Sequence, residues 1–123
     1  MPKRILDVGQ CGPDHATISA YLERHFDCEI GRAHDADDAL RQLAAGPFDL
    51  VLVNRKLDAD YSDGIEVIRR IKADEATAGV PVMLVTNFPE HQDAAVKAGA
   101  LRGFGKLEFN DPGTRERLAA ILG

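Results

Sequence analysis

The chemistry open to this chain depends on the residue at the end of one short apolar run. Residues 50–53 have the composition of a buried parallel strand, and Asn54 follows them directly. In an α/β sheet, ligands and reacting groups collect at the carboxyl ends of the central strands. A carboxylate there could act as a nucleophile or a metal ligand. The amide of Asn54 can hardly do either, because its nitrogen lone pair is delocalised.

A second set of candidate residues lies around the end of the first apolar run. Gly9 and Gln10 begin a glycine-containing turn, which lacks both the dinucleotide fingerprint and the lysine of a phosphate-binding loop. Cys11 and His15 stand near the same helix start and could share a metal ion, but two ligands do not make a site. Asp7 interrupts the apolar run itself. We therefore expect its carboxyl group to be paired, hydrogen-bonded or protonated.

Alternating strands and helices are predicted to position these residues. Five apolar runs predict strands at 4–8, 28–33, 50–53, 80–85 and 102–105, and amphipathic stretches with helical spacing separate them. Residues suited to helix starts stand where helices should begin, namely Gly12-Pro13-Asp14, Asp35, Ser62-Asp63, Pro89 and Asn110-Asp111-Pro112. We expect Gly79-Val80-Pro81 to end the third helix. The strict alternation predicts a parallel sheet covered by helices on both faces.

Length and composition limit the class of protein. The 123 residues suit a single domain spanning 1–123, with 45% hydrophobic and 28% charged residues. A net charge of -5 with scattered basic residues argues against nucleic-acid binding. Two cysteines without framework spacing indicate reduced thiols in a cytoplasmic protein. No apolar run approaches the ~20 residues of a membrane span, so we expect no membrane contact.

Taken in order, these motifs resemble a response-regulator receiver domain. The segments that match are 4–8, 48–54, 63–64, 81–86 and 98–100, together with Lys106. The resemblance covers essentially the whole chain. It implies a CheY-like, flavodoxin-like α/β fold, in which a doubly wound five-stranded parallel sheet has the order 2-1-3-4-5 and is accompanied by five helices.

The resemblance also implies a phosphorylation site, which this chain retains only in part. Receiver domains accept a phosphoryl group on an aspartate after the third strand, which holds Mg²⁺ together with an acidic pair after the first strand. Thr86 and Lys106 match the residues that contact the phosphoryl oxygens, but Gly9 and Gln10 replace the acidic pair and Asn54 replaces the acceptor. Mg²⁺ binding is therefore expected to be lost or very weak, and with it ordinary aspartyl phosphorylation. We expect no cofactor.

The switch region departs from the family pattern as well. Gly103 stands where the family usually has an aromatic residue that moves with the switch, and Leu107 stands where proline is usual. The segment from Asn54 to Gly64 is longer than is typical. These differences predict that conformational choice in this domain does not depend on an acyl phosphate.

Several polar residues near the expected site have specific predicted roles. We expect Thr86 to be a hydrogen-bonded strand end, and Asp7 to reach part-way into the vacated pocket. Lys106 should point outward, pair with Asp7 or Asp58, or hold an anion. Asp58 and Asp60 should be solvated, with a displaced acceptor or metal ligand as the alternative.

The sequence therefore predicts a pseudo-receiver in two-component or phosphorelay signalling that is not an enzyme and acts through protein–protein contact. Its partners would be signalling proteins or a covalently linked output domain. The surface of the fourth helix, fifth strand and fifth helix would present His91, Gln92, Val96, Arg102, Phe104 and Arg115, although Phe104 is better suited to the core. Two alternatives remain: a small-molecule or anion sensor at Asn54, Thr86 and Lys106, and residual phosphotransfer through Asp7, Asp58 or Asp60.

Overall fold

The computed structural model describes residues 2–123 and contains five strands alternating with five helices. In chain order these are β1 (Lys3–Val8), α1 (Gly12–His25), β2 (Cys28–Ala33), α2 (Ala36–Ala45), β3 (Leu50–Asn54), α3 (Gly64–Ala73), β4 (Val82–Val85), α4 (Pro89–Lys97), β5 (Leu101–Phe104) and α5 (Pro112–Leu122). Every predicted strand is present. The strand β4 begins later than predicted, because Val80 belongs to a turn closed on Thr77 and Pro81 has no N–H for the ladder.

The five strands form one parallel sheet in the order β2-β1-β3-β4-β5, which confirms the predicted topology. From β1 the chain passes first to one side, to β2, and later to the other side, to β3. This change of direction opens a crevice at the carboxyl ends of β1 and β3. Val8 lies beside Val53 in the register, so the loops that begin at Gly9 and at Arg55 emerge next to each other.

Each face of the sheet carries its own hydrophobic core. On one face α2, α3 and α4 pack over Leu6, Val8, Val51, Val53 and Leu84. On the other face α1 and α5 cover Ile5, Leu50, Leu52, Met83 and Phe104. Strand residues alternate between the two faces, so Asp7 and Asn54 fall on the α1/α5 face with Ile5 and Leu52. Phe104 is fully buried, as predicted.

The helix ends follow the predicted capping residues with two exceptions. Asp35 and Asp111 accept backbone hydrogen bonds as N-caps of α2 and α5. Asp63 occupies the N-cap position of α3 but makes no capping bond, because its carboxylate pairs with Lys56. The third helix ends at Ala73, not at Gly79, and a turn closed on Asp74 follows it. Across residues 2–123 no helix combines the length and apolarity needed to cross a bilayer.

Candidate functional site

The predicted site residues lie together at the carboxyl edge of the sheet. Asn54 ends β3, Gly9 and Gln10 follow β1, and Thr86 and Lys106 follow β4 and β5. Lys106, which follows β5, contacts Asn54 at the end of β3 directly: Lys106 Nζ donates to Asn54 Oδ1 at 3.3 Å. The strand order therefore assembles the site that the sequence predicted.

The amide of Asn54 is engaged with the backbone of the loop that follows it. Its Nδ2 donates to the Lys56 carbonyl oxygen at 2.7 Å and, more weakly, to the Gly9 carbonyl oxygen at 3.5 Å. These acceptors require an N–H donor at this position. A carboxylate oxygen placed there would face a carbonyl oxygen at hydrogen-bonding distance, so the local fold is matched to asparagine and not to an acceptor aspartate.

Leu57 fills the space beside Gly9, where the family resemblance places the first residue of an acidic pair. Gly9 adopts a φ of 78°, and a Cβ on Gly9 would lie 2.3 Å from Leu57 Cδ2 and 3.1 Å from Leu57 Cα. Leu57 is fully buried, and the Asp58 amide donates to the Gly9 carbonyl oxygen at 2.9 Å. The long β3–α3 loop therefore folds over β1, and an acidic side chain has no room at residue 9. Leu57 was not identified from the sequence, although it is the one large aliphatic residue between Arg55 and Asp63.

Gln10, at the position where the resemblance places the second acid, has a buried side-chain amide. Gln10 is 2% exposed, and neither its Nε2 nor its Oε1 has a hydrogen-bond partner within residues 2–123. Its main-chain oxygen accepts from Arg32 Nη2 at 3.2 Å. Buried polar groups without partners cost free energy, and Gln10 shares this state with Asp7 Oδ1, so a ligand or a water molecule bound here would stabilise the site.

The residues at this edge do not fit the Mg²⁺ ion of the receiver family. Gly9, Gln10 and Asn54 carry no carboxylate, and Leu57 occupies the space beside Gly9. Within residues 2–123 no three His, Cys, Asp or Glu side chains are arranged to hold a metal ion. Mg²⁺ prefers one or two carboxylates in octahedral geometry, and the crevice does not provide that arrangement.

Lys106 is paired with a residue that the sequence analysis missed. Its Nζ donates to Asp14 Oδ2 at 2.7 Å, so the predicted partners Asp7 and Asp58 were wrong. Lys106 lowers the pKa of Asp14, chiefly through this hydrogen bond and further through its positive charge. Asp14 lies in the first turn of α1, and Lys106 follows β5. The pairing of β5 with β4 brings Lys106 within reach of Asp14. Asp58 and Asp60 are exposed, as predicted.

Asp7 forms a buried pair with His15. Asp7 Oδ2 lies 2.6 Å from His15 Nδ1, and the Asp7 side chain is fully buried whereas that of His15 is 21% exposed. Burial raises the pKa of Asp7, while the His15 hydrogen bond, the charge of His15, the Gln10 amide close by and the charge of Lys106 oppose the rise. The position of Asp7 relative to Asn54 therefore stays a prediction, while its pairing with His15 is direct. His15, in the first turn of α1, was considered from the sequence only as a metal ligand.

The burial of Asp7 predicts a pH dependence of stability. A carboxyl group whose folded-state pKa is raised stabilises the fold below its ordinary value of 3.8, and that contribution is lost as the pH rises through the raised folded value. Asp7→Asn does not titrate and keeps an oxygen for His15. We expect the free energy of unfolding of the variant, relative to the native chain, to increase between about pH 3.5 and about pH 7, as measured by urea unfolding. A difference that stays constant or falls over this range would contradict the assignment.

Thr86 and Gln92 connect β4 to β5. Thr86 is 7% exposed, and its Oγ1 accepts from the Phe88 amide at 3.3 Å. Gln92 was predicted to lie on a docking surface, and this was wrong: it is 5% exposed. Its Nε2 donates to the main-chain oxygens of Leu84 (2.9 Å) and Thr86 (3.2 Å), and its Oε1 accepts from the Gly103 amide at 2.8 Å.

The Gln92 contacts fill an irregularity in the sheet. The register passes from Met83 beside Leu101 to Val85 beside Phe104, so β5 carries an extra residue between these pairs. Such a bulge leaves ladder groups unpaired, and the Gln92 amide satisfies them on both strands. Gly103 is required here because a Cβ would lie 2.3 Å from the Leu84 carbonyl oxygen. Gly103 thus packs closely on Leu84 at the position where the resemblance implies a mobile aromatic residue.

The surface formed by α4 and β5 has exposed apolar side chains. Leu101 is 47% exposed and lines, with Val96, a shallow groove of about 470 Å³. Arg102 lies beside it and pairs with Asp93. Arg115, also predicted to face a partner, is exposed and contacts the His25 ring at a different groove of about 1040 Å³ between α1 and α5.

Comparison with known proteins fits this fold. The family model described as "Response regulator receiver domain" matches residues 14–108. The chain belongs to the response regulator receiver family. It is 35% identical over 89 residues to the transcriptional regulatory protein ZraR of Salmonella typhimurium, a match that covers 71% of this chain and only 19% of ZraR.

Solved receiver structures share the whole architecture. A response-regulator crystal structure from Chloroflexus aurantiacus superimposes with a TM-score of 0.86 at 22% identity, covering 99% of this chain and 98% of that one. The receiver domain of the sensor histidine kinase PA1611 from Pseudomonas aeruginosa has a TM-score of 0.75 at 23% identity, covering 99% and 95%, and was solved with magnesium in its active-site cleft. At these identities the likeness establishes the receiver fold.

Proposed function

We propose that this receiver domain signals without aspartyl phosphorylation and acts by contact with other proteins. The observation that carries the proposal is the closure of the phosphorylation crevice: Leu57 fills the space beside Gly9, and the Asn54 amide donates to the Lys56 carbonyl oxygen. Asn54 stands in place of the phosphoryl acceptor. Gly9 and Gln10 stand in place of the acidic pair, and Leu57 occupies the space that a metal ion would need. Phosphoryl transfer relies on positioning and charge compensation, so the domain has little means of performing that reaction and is not an enzyme.

The test is intact mass after incubation with acetyl phosphate and Mg²⁺, beside an Asn54→Asp variant. We expect no phosphoryl group on the native chain, and none on the variant, because Leu57 and Gly9 still exclude the metal. A phosphorylatable receiver domain treated in the same mixture is the positive control. An acyl phosphate on the native chain, at Asp7, Asp58 or Asp60, would overturn the proposal. An acyl phosphate at residue 54 of the variant alone would show that only the acceptor has been lost.

Contacts to partners are proposed to involve the groove lined by Val96 and Leu101. These exposed apolar side chains lie beside the Arg102–Asp93 ion pair, a combination of apolar centre and polar rim that suits a protein interface. The partner is a signalling protein or a linked output domain. The match to one part of ZraR, a transcriptional regulatory protein, makes a transcriptional output one such case.

This surface can be tested by photo-crosslinking in the native host. A photoreactive side chain at Leu101 should form a discrete adduct with a partner protein. The same side chain at Glu75, which is also exposed but lies beyond α3, should not. Equal adducts from both positions, or none from Leu101, would contradict an interface at α4 and β5.

A second candidate function is recognition of a small ligand at the same crevice, supported by the unsatisfied Gln10 amide and the nearby Lys106. A ligand that binds the folded state raises the melting temperature. Inorganic phosphate should then raise it for the native chain and not for Lys106→Ala. Equal shifts in melting temperature for both chains, or no shift, would exclude this ligand function and leave protein contact as the one proposed function.

A further inference from the structure

We propose that His15 is a phosphoryl acceptor, reacting at Nε2 with a phosphoramidate donor. This modification site is separate from the aspartyl chemistry that the crevice has lost. It rests on the buried Asp7–His15 pair, on the exposure of the opposite edge of the imidazole ring, and on the position of that ring in the first turn of α1.

The hydrogen bond to Asp7 assigns the tautomer of His15. Asp7 Oδ2 lies 2.6 Å from Nδ1, and Asp7 Oδ1 has no other partner within residues 2–123. A carboxylate at this distance accepts the Nδ1 proton, which leaves the lone pair of the neutral ring on Nε2. Holding the imidazole in one tautomer and orientation is the function of the carboxylate in nucleophile–base–acid arrangements.

The nucleophilic edge of the ring faces solvent. The His15 side chain is 21% exposed, while its Nδ1 edge lies against a fully buried carboxyl group. Nε2 makes no hydrogen bond within residues 2–123 and does not belong to the buried polar atoms that lack partners. Its lone pair is therefore open to a donor from outside, whereas Asp7 itself is shielded from reaction.

The surroundings of His15 favour an anionic adduct. The ring stands in the first turn of α1, where the helix dipole attracts negative charge. The neighbouring Asp14 carboxylate is paired with Lys106, which reduces its repulsion of a phosphoryl group. Attack by Nε2 makes the ring cationic, and the Asp7 carboxylate compensates that charge without leaving its place.

The reaction with inorganic phosphoramidate is balanced without a metal or a reductant. The Nε2 lone pair forms a bond to phosphorus as the phosphorus–nitrogen bond of the donor breaks. The donor nitrogen already carries three protons in neutral solution, so it departs as ammonia. The Nδ1 proton stays directed at Asp7. The phosphohistidine of a partner protein is a donor of the same chemical class.

The experiment is intact mass and peptide mapping after treatment of the folded chain with phosphoramidate. We expect one phosphoryl group on His15, labile to acid and stable to alkali and hydroxylamine, which distinguishes it from the acyl phosphate that would contradict the function proposed above. His25, His34 and His91 are internal controls, since no ring nitrogen of these residues is bonded to a carboxylate within residues 2–123. His15 should react at least about 10-fold faster than they do.

Two variants test the role of each partner. His15→Asn keeps an N–H donor for Asp7 but lacks the nucleophile, so a folded variant should gain no acid-labile group at residue 15. Asp7→Asn removes the compensating charge and should slow labelling by at least about 10-fold. Labelling of the native chain only at the other histidines, or no labelling while N-acetylhistidine in the same mixture reacts, would overturn the proposal.

Discussion

Replacing Gly9 with alanine is expected to lower the free energy of unfolding by about 2–4 kcal/mol. The φ of 78° at Gly9 disfavours any side chain, and the new Cβ would lie 2.3 Å from Leu57 Cδ2. The Leu57 side chain can turn aside only by leaving a well-packed core, while its Cα, 3.1 Å away, belongs to the backbone of the loop. Urea unfolding measures the loss.

Gly12→Ala is the matched control. A Cβ at Gly12 meets no atom within 4 Å, and Gly12 begins α1, so this substitution should change stability by less than about 0.5 kcal/mol. A double-mutant cycle separates the two contributions at Gly9. Combined with Leu57→Ala, the Gly9 substitution should cost at least about 1 kcal/mol less than it does alone. A small loss for Gly9→Ala, or strict additivity, would show that Leu57 does not fill the site of the missing acid.

Replacing Gln92 with leucine is expected to destabilise the fold by about 2–5 kcal/mol. Leucine of similar size fills the space but leaves the main-chain oxygens of Leu84 and Thr86 and the amide of Gly103 without the partners they have in the native fold. All three groups lie at the β4–β5 bulge, so water can replace Gln92 only by entering the sheet. Hydrogen exchange should rise first at the Gly103 amide.

Two variants calibrate this result. Gln92→Glu keeps the acceptor for Gly103 but, when ionised, cannot donate to the two carbonyl oxygens; it should therefore be closer to the native stability at low pH than at neutral pH. Glu90→Gln, on an exposed position of the same helix, should be nearly neutral. If Gln92→Leu and the native chain have the same free energy of unfolding, the three Gln92 hydrogen bonds between β4 and β5 do not stabilise the domain.

The Gln92 bridge bears on the proposed function because it ties α4 to β4 and β5. A conformational switch in this region would have to break the three hydrogen bonds of Gln92 at once. The aromatic residue of the family cannot be restored at Gly103, because its Cβ would lie 2.3 Å from the Leu84 carbonyl oxygen. A single conformation that is recognised by contact agrees with this geometry.

Gln92 was predicted to lie on a polar surface, but the fold buries it. Gln92 lies on the same helical face as Ala95, and both are buried, so the spacing carried a signal that the polarity of the side chain obscured. Lys106 shows a related limit. Its candidate partners were chosen from acids near the expected crevice, whereas Asp14 reaches it from the first turn of a helix far away in the chain.

By itself, the sequence determined the alternation of strands and helices and the residues that stand at their ends, because hydrophobic periodicity and capping are local properties of the chain. The family resemblance added the strand order and identified Gly9, Gln10 and Asn54 as the residues at positions where it implies acids. Only the tertiary structure decided that Leu57 closes the crevice, that Asp7 pairs with His15 and that Gln92 joins two strands. Those contacts depend on how the loops and helices pack against the sheet, and the distances between side chains from separate elements are fixed only when the whole core is assembled.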